Sequence, residues 1–182
     1  MDTPPSILWT IGHSTRPLDE LIGLLHEHGI TWLVDVRTVP RSGHNPQFNA
    51  ETLPANLGAQ NITYVHLAAL GGLRHAHKDS VNTGWRNAGF RGYADYMQTA
   101  EFARGLQELI ALGGQGTVAI MCAEAVPWRC HRSLIADALV VRGIGVRHIM
   151  GAGKFHAHKL TPFARPDGEH VTYPSVSTAG AE

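Results

Sequence analysis

The stretch GTVAIMCAEAVPWRCHRSLIADALVVRG, residues 116–143, changes character halfway along. Its opening, GTVAIMCAE, is a continuous apolar run, the pattern of a strand buried on both faces. From Cys130 onward the chain reads as a helix closed by Gly143, with Pro127 marking the bend between the two. A strand followed by a helix, with Cys122, Glu124, Cys130, His131 and Arg132 gathered at the junction, is the unit from which a parallel sheet is built.

The same unit recurs on either side. SILWTIG, residues 6–12, is a short apolar strand ending in a turn at His13 and Ser14, and RPLDELIGLLHEHG, residues 16–29, is an amphipathic helix with Asp19 and Glu20 in its first turn and Gly29 as a stop. ITWLVDVRTV, residues 30–39, and ITYVHLAAL, residues 62–70, read as the second and third strands, with a short helix around residues 50–60 between them. YADYMQTAEFARGLQELIAL, residues 93–112, reads as one long amphipathic helix, and IGVRHIM, residues 144–150, as a fifth strand. The expected fold is therefore an α/β, three-layer domain whose mostly parallel sheet is covered by helices on both faces. Residues 1–171 are expected to form a single α/β domain and residues 172–182, TYPSVSTAGAE, a loose C-terminal tail. Residues 71–90 make an irregular stretch too long for an ordinary connection, as lids and mobile loops do.

Bulk composition narrows the partners. The chain has 182 residues, 43% of them hydrophobic and 16% charged, as a soluble globular protein does. Lys plus Arg and Asp plus Glu number 15 each, so no global positive field draws the protein to nucleic acid or to a membrane. With no basic leader and no long apolar segment it reads as cytoplasmic, where a reducing environment keeps its 2 cysteines as thiols.

In an open α/β sheet, ligands sit outside the carboxyl ends of the strands, where turns and helix N-termini open a crevice. That rule collects His13 and Ser14 from the first strand, Asp35, Arg37, Arg41 and Ser42 from the second, and Cys122 and Glu124 from the fourth, with Cys130, His131 and Arg132 at the next helix start. Asp35, Glu124, Cys122 and Cys130 are the candidate catalytic groups; His13, Ser14, Arg37, Arg41, Ser42, His131 and Arg132 are the candidate substrate-binding groups. Each has a plainer role open to it. His13 and Ser14 suit a turn and cap, His66 a backbone-bonded strand position, and Asp35 and Arg37, two apart on one strand, can pair with each other. Cys130 beside His131 and a helix start is where a thiolate would be stabilised. The loop RSGHNPQFN, residues 41–49, with Trp85, Arg86, Arg91 and Trp128, adds guanidinium and aromatic surface of the kind that holds phosphates and bases.

Four segments carry a resemblance: TIGHST at residues 10–15, DVRTVPRS at 35–42, YVHLAALGG at 64–72 and CAEAVPWRCHR at 122–132. Together they resemble the domain-of-unknown-function family number 488, over roughly residues 7–165. The resemblance implies an α/β protein of a largely uncharacterised family, some of whose members are loosely labelled DNA-repair proteins. Its motifs fall on His13, Ser14, Asp35, Arg37, Arg41, Ser42, Cys122, Glu124, Cys130, His131 and Arg132.

The leading expectation is an enzyme acting on a nucleobase, a nucleotide or damaged nucleic acid, with arginines on the phosphate, Asp35 or Glu124 as acid or base, and Cys130 or Cys122 reactive. The partner is then a phosphorylated or nucleobase-containing ligand, or nucleic acid itself, and no membrane. A second expectation is a non-catalytic metal- or redox-responsive protein using Cys122, Cys130 and His131. The Cys-x7-Cys-His spacing matches no common structural zinc pattern, so no metal ligand set is assigned and no cofactor is specified. A third is an anion sensor that binds without turnover.

Overall fold

The computed structural model describes residues 3–175. Five parallel strands, β1 (Ile7–Gly12), β2 (Trp32–Asp35), β3 (Thr63–His66), β4 (Val118–Cys122) and β5 (Gly145–Gly151), lie in the order β3-β2-β4-β1-β5. A short sixth strand, β6 (Lys154–Ala157), adds antiparallel to β5 as the edge. The side-chain period of two divides the strand residues between two cores. Val34, Val36, Ile120 and Cys122 face one way and pack with α3 (Ala88–Tyr96), α4 (Ala100–Gly113) and α5 (Arg132–Val140). Trp9, Ile11, Leu33 and Met121 face the other and pack with α1 (Leu18–Glu27) and α2 (Leu53–Gly58). Two helical layers sandwich the sheet, the three-layer α/β architecture expected from the strand–helix alternation.

β1 and β4 are neighbours at the centre, yet α1 leaves β1 on one face and α5 leaves β4 on the other. The connections that leave their carboxyl ends therefore diverge to opposite faces, as at a topological switch point. The two ends stay close only because position 12 is glycine: a Cβ there would lie 1.7 Å from the Glu124 carbonyl oxygen. Backbone bonds from His13 N–H to Cys122 O (2.9 Å) and from Ser14 N–H to Ala123 O (3.0 Å) fasten the β1 turn to the loop after β4.

Several expectations need correction. The single helix over residues 93–112 is two, because Thr99 caps α4 by accepting the Phe102 N–H and breaks the run at Met97–Thr99. After the expected fifth strand the chain turns back into β6, a strand that the apolar runs do not announce. Within the 172–182 tail, Thr172 ends β8 (His170–Thr172), which pairs with β7 (Arg165–Asp167), and Tyr173 is fully buried. Residues 176–182 lie outside the described residues. The irregular stretch from residue 71 gives way to α3 at Ala88, and its middle is pinned by Asp95. That carboxylate accepts from His77 N–H (2.8 Å), Ser80 Oγ (2.6 Å) and Asn82 Nδ2 (2.7 Å). Burial opposes its charge, but these donors outweigh burial and hold it below the usual carboxylate range.

Candidate functional site: a thiol pocket at the strand ends

Beyond the carboxyl ends of β2 and β4 lies a cavity of about 490 Å³. Of the residues expected at the site, Arg37, Arg41, Cys122, Glu124, Cys130 and His131 line it. His13, Ser14, Asp35, Ser42 and Arg132 stand outside its wall, and the hydrogen bonds show what they do instead.

Arg37 is the best-anchored cation. Its Nε and Nη2 donate to the Asp35 carboxylate, Nη2 also donates to Phe48 O (2.7 Å), and Nη1 donates to His13 Nε2 (3.4 Å). Asp35 accepts in addition from Tyr64 Oη (2.5 Å) and from the Arg37 backbone N–H (3.0 Å), so a fully buried carboxylate has its lone pairs filled. Asp35 is thereby a holder of Arg37 and not a free base. His13 lies stacked on Phe48, 4.4 Å between ring centres, and its Nδ1–H donates to Ser14 O (2.8 Å). Burial pushes the His13 pKa down, with the nearby Arg37 charge adding to it, so the ring is neutral and Nε2 is free to accept from Arg37. With Nε, Nη2 and one Nη1 hydrogen committed, the guanidinium keeps a single Nη1 hydrogen for the cavity. Ser42 shapes the loop beside it, its Oγ accepting from Asn45 N–H (3.0 Å). Arg41 is exposed and paired with Glu51, whereas Arg129, on the turn Pro127–Arg129, carries no side-chain hydrogen bond or ion pair among the described residues.

The floor is sulphur. Cys122 Sγ and Cys130 Sγ are both buried free thiols and lie 2.7 Å apart. His131 Nε2–H donates to Val36 O (2.9 Å), which leaves Nδ1 turned toward Cys130 Sγ at 3.6 Å. The Arg132 backbone N–H, at the first turn of α5, points to the same sulphur at 3.5 Å. Burial opposes a thiolate on Cys130, but the Cys122 thiol, His131 and the Arg132 charge reverse that and hold its pKa well below the ordinary thiol value. Cys122 goes the opposite way: burial and the neighbouring Cys130 push it well up, so it stays protonated. The two sulphurs thus have opposite protonation preferences.

Arg132 belongs behind this floor. Fully buried, it donates through Nη2 to Glu124 O (3.0 Å) and Ala125 O (3.0 Å), tying down the Cys122–Cys130 loop, and through Nη1 to Thr10 Oγ1 (3.1 Å). Thr10 Oγ1 in turn lies 2.6 Å from His148 Nδ1, His148 Nε2 lies 2.9 Å from His158 Nδ1, and His158 Nε2 lies 2.7 Å from Asp137 Oδ1. Burial and the neighbouring His158 lower the His148 pKa to about 3. The bonding pattern then assigns every proton one way, from Arg132 through Thr10, His148 and His158 to Asp137. Arg132, expected among the anion-binding groups, does not line the cavity and instead holds the loop behind it.

Part of the wall was not foreseen. Phe90 and Tyr93 from α3 and Gly72 and Leu73 from the preceding loop close the far side. Tyr93 Oη donates to Leu70 O (2.8 Å) and its ring packs 5.0 Å from that of His131. Leu73 is 83% exposed and holds a left-handed backbone at φ 58°, a strained setting for a branched side chain at a pocket mouth. The only sequence signal for this wall is the length of the 71–90 loop, since Phe and Tyr on a helix read equally well as core. Among the described residues no group of three or more His, Cys, Asp or Glu side chains could hold a metal ion. No helix there is long and apolar enough to cross a membrane.

No curated protein and no solved structure matches the chain. A family described as "Domain of unknown function DUF488" matches residues 17–139, a span narrower than the four motifs suggest, since TIGHST lies ahead of it. That span covers more than half of the chain and holds every residue lining the thiol pocket, from Arg37 to His131, so the chain belongs to the DUF488 family.

Proposed function

We propose that this protein is an enzyme acting on a small phosphate-bearing or nucleobase-containing molecule, nucleotides foremost, with Cys130 as its nucleophile. The observation that carries the reading is the setting of Cys130: a sulphur with three stabilising neighbours, Cys122, His131 and the Arg132 N–H, at the floor of a cavity. Such a group is an activated nucleophile. Around it the uncommitted Arg129 guanidinium and the spare Nη1 hydrogen of Arg37 offer an anion two donors, and Phe90 and Tyr93 offer a flat apolar wall. The balanced net charge of +0 favours a small ligand over a nucleic-acid duplex.

In the step itself, His131 Nδ1 takes the Cys130 proton and the thiolate forms a bond to an electrophilic carbon as that carbon loses its leaving group. The imidazolium returns the proton to the leaving group. Water then cleaves the carbon–sulphur bond, His131 takes the water proton, and the thiolate is released. Glu124, exposed at the rim, is free to orient that water. The test is alkylation of Cys130 by iodoacetamide as a function of pH, read by peptide mass spectrometry, with and without nucleoside monophosphates. Reaction at a pH well below the ordinary thiol range, slowed by a nucleotide, supports the reading. An ordinary thiol profile, or no protection by any nucleotide, overturns it.

A second reading rests on the 2.7 Å approach of the two sulphurs: a redox-responsive pair. A peroxide would take two electrons from it, the sulphurs joining while the two thiol protons and the peroxide oxygens leave as two waters. Cys122→Ser separates the readings, since it abolishes a disulfide switch and leaves Cys130 its nucleophile.

A further inference from the structure

On the other side of the Pro127–Arg129 turn lies a second cavity of about 490 Å³, which the thiol chemistry does not use. Its walls are flat and apolar: Trp85, Trp128, Pro127, Pro162 and Met150. Trp128, 63% exposed, is one of the few large apolar side chains left in water. An isolated exposed tryptophan needs no explanation, but one standing at the lip of a concave apolar surface with a second indole does.

The polar groups in this cavity define what it can accept. The His148 and His158 rings line it, but all four of their nitrogens are spent on Thr10, on each other and on Asp137. They offer a ligand ring edges and no lone pair. The Thr161 hydroxyl donates to Asp137 Oδ2 (2.7 Å) and that of Ser133 to Cys130 O (2.9 Å), so those protons are spent as well. The unspent groups are chiefly N–H. Lys159 has no ion pair or hydrogen bond among the described residues, the His156 ring has none, and the Trp85 indole N–H is shielded from solvent without an acceptor. No Asp or Glu side chain lines the cavity.

We propose that this cavity is a second ligand site, for a flat aromatic carboxylate whose ring lies between Trp85 and Trp128 and whose anion meets Lys159 and His156. The carboxylate supplies the acceptors the walls lack, and the ring covers the exposed indole. A cation is disfavoured by Lys159, and a metal by the saturated imidazoles.

Indole-3-carboxylate is the probe, titrated into the full-length protein by calorimetry and by the NMR signals of the 4 tryptophan indole N–H groups, with neutral indole as control. The expected result is saturable binding to a single site that moves the Trp85 and Trp128 signals and leaves those of Trp9 and Trp32 in place. Lys159→Ala should weaken the carboxylate about fivefold, bringing it to the level of indole. Trp128→Ala, an exposed substitution, should abolish saturation, and Cys130→Ser should leave binding unchanged, which separates this site from the proposed thiol chemistry. Indole binding as tightly as its carboxylate, signals of Trp85 and Trp128 that do not move at millimolar ligand, or loss of binding in Cys130→Ser would each overturn the proposal.

Discussion

Two buried arginines in this protein are neutralised in opposite ways. Arg37 meets its aspartate two residues away, through Nε and Nη2 on one carboxylate. Arg132 never touches Asp137, and its charge is connected to that carboxylate through one hydroxyl and two imidazoles drawn from β1, β5 and the segment after β6. The direct pair leaves a donor hydrogen over for the pocket. The relayed pair spends its terminal guanidinium nitrogens on protein acceptors, fixing the loop that carries the two thiols. A buried arginine beside a site is therefore not by position alone a ligand-binding arginine; Arg37 reaches the cavity wall and Arg132 does not.

Breaking the direct pair should have the largest effect. Asp35→Ala leaves Arg37 buried without its counter-charge, and denaturant unfolding should show a loss of about 3–5 kcal/mol. A loss below about 1 kcal/mol would mean that Arg37 swings into the pocket and is solvated there. Asp137→Asn removes the charge at the end of the relay while keeping its shape, and about 2 kcal/mol should be lost by the same measurement.

The relayed pair also has a pH signature. His148 has its folded pKa depressed to about 3 from an unfolded value near 6.5, so below 6.5 the unfolded chain binds a proton that the folded chain refuses. Stability is accordingly full above that pH and falls as pH drops toward 3, by at most about 1.4 kcal/mol per pH unit for this group. His148→Asn should flatten that limb in pH-dependent melts, leaving the smaller contribution of His13, whose pKa is also lowered. Equal slopes in the two proteins would rule out His148 as the source.

Two smaller effects sharpen the contrast at the pocket mouth. Leu73→Gly relieves a left-handed backbone and should stabilise the protein by about 1 kcal/mol in thermal unfolding. Arg129→Ala, at an exposed side chain without partners, should change stability by less than about 0.5 kcal/mol while removing nucleotide protection of Cys130.

Where sequence reading reached and where it stopped follows from the range of each signal. Continuous apolar runs made the central strands visible, and the strand-end rule placed Cys122, Glu124, Cys130 and His131 together because they are close in sequence as well as in space. The same rule selected Arg132 for its position, but its one side-chain partner, Thr10, is 122 residues away and is itself bonded to His148, beyond any local pattern. Strand β6 escaped because all its residues are exposed and leave no burial periodicity. The break between α3 and α4 escaped because the apolar spacing runs through Thr99, whose capping bond is the feature that interrupts it.

That inconspicuous β6 has a consequence for the protein at high concentration. Five parallel strands end in a rim of unpaired backbone groups that a neighbouring chain can extend, and β6 covers one such rim. It is short, it runs against the others, its register shifts between Ile149 and Gly151, and it presents Lys154 and His156 to water. Edge-to-edge growth of the sheet is thereby discouraged on that side, so the residues least visible to a search for a core act as its guard against aggregation.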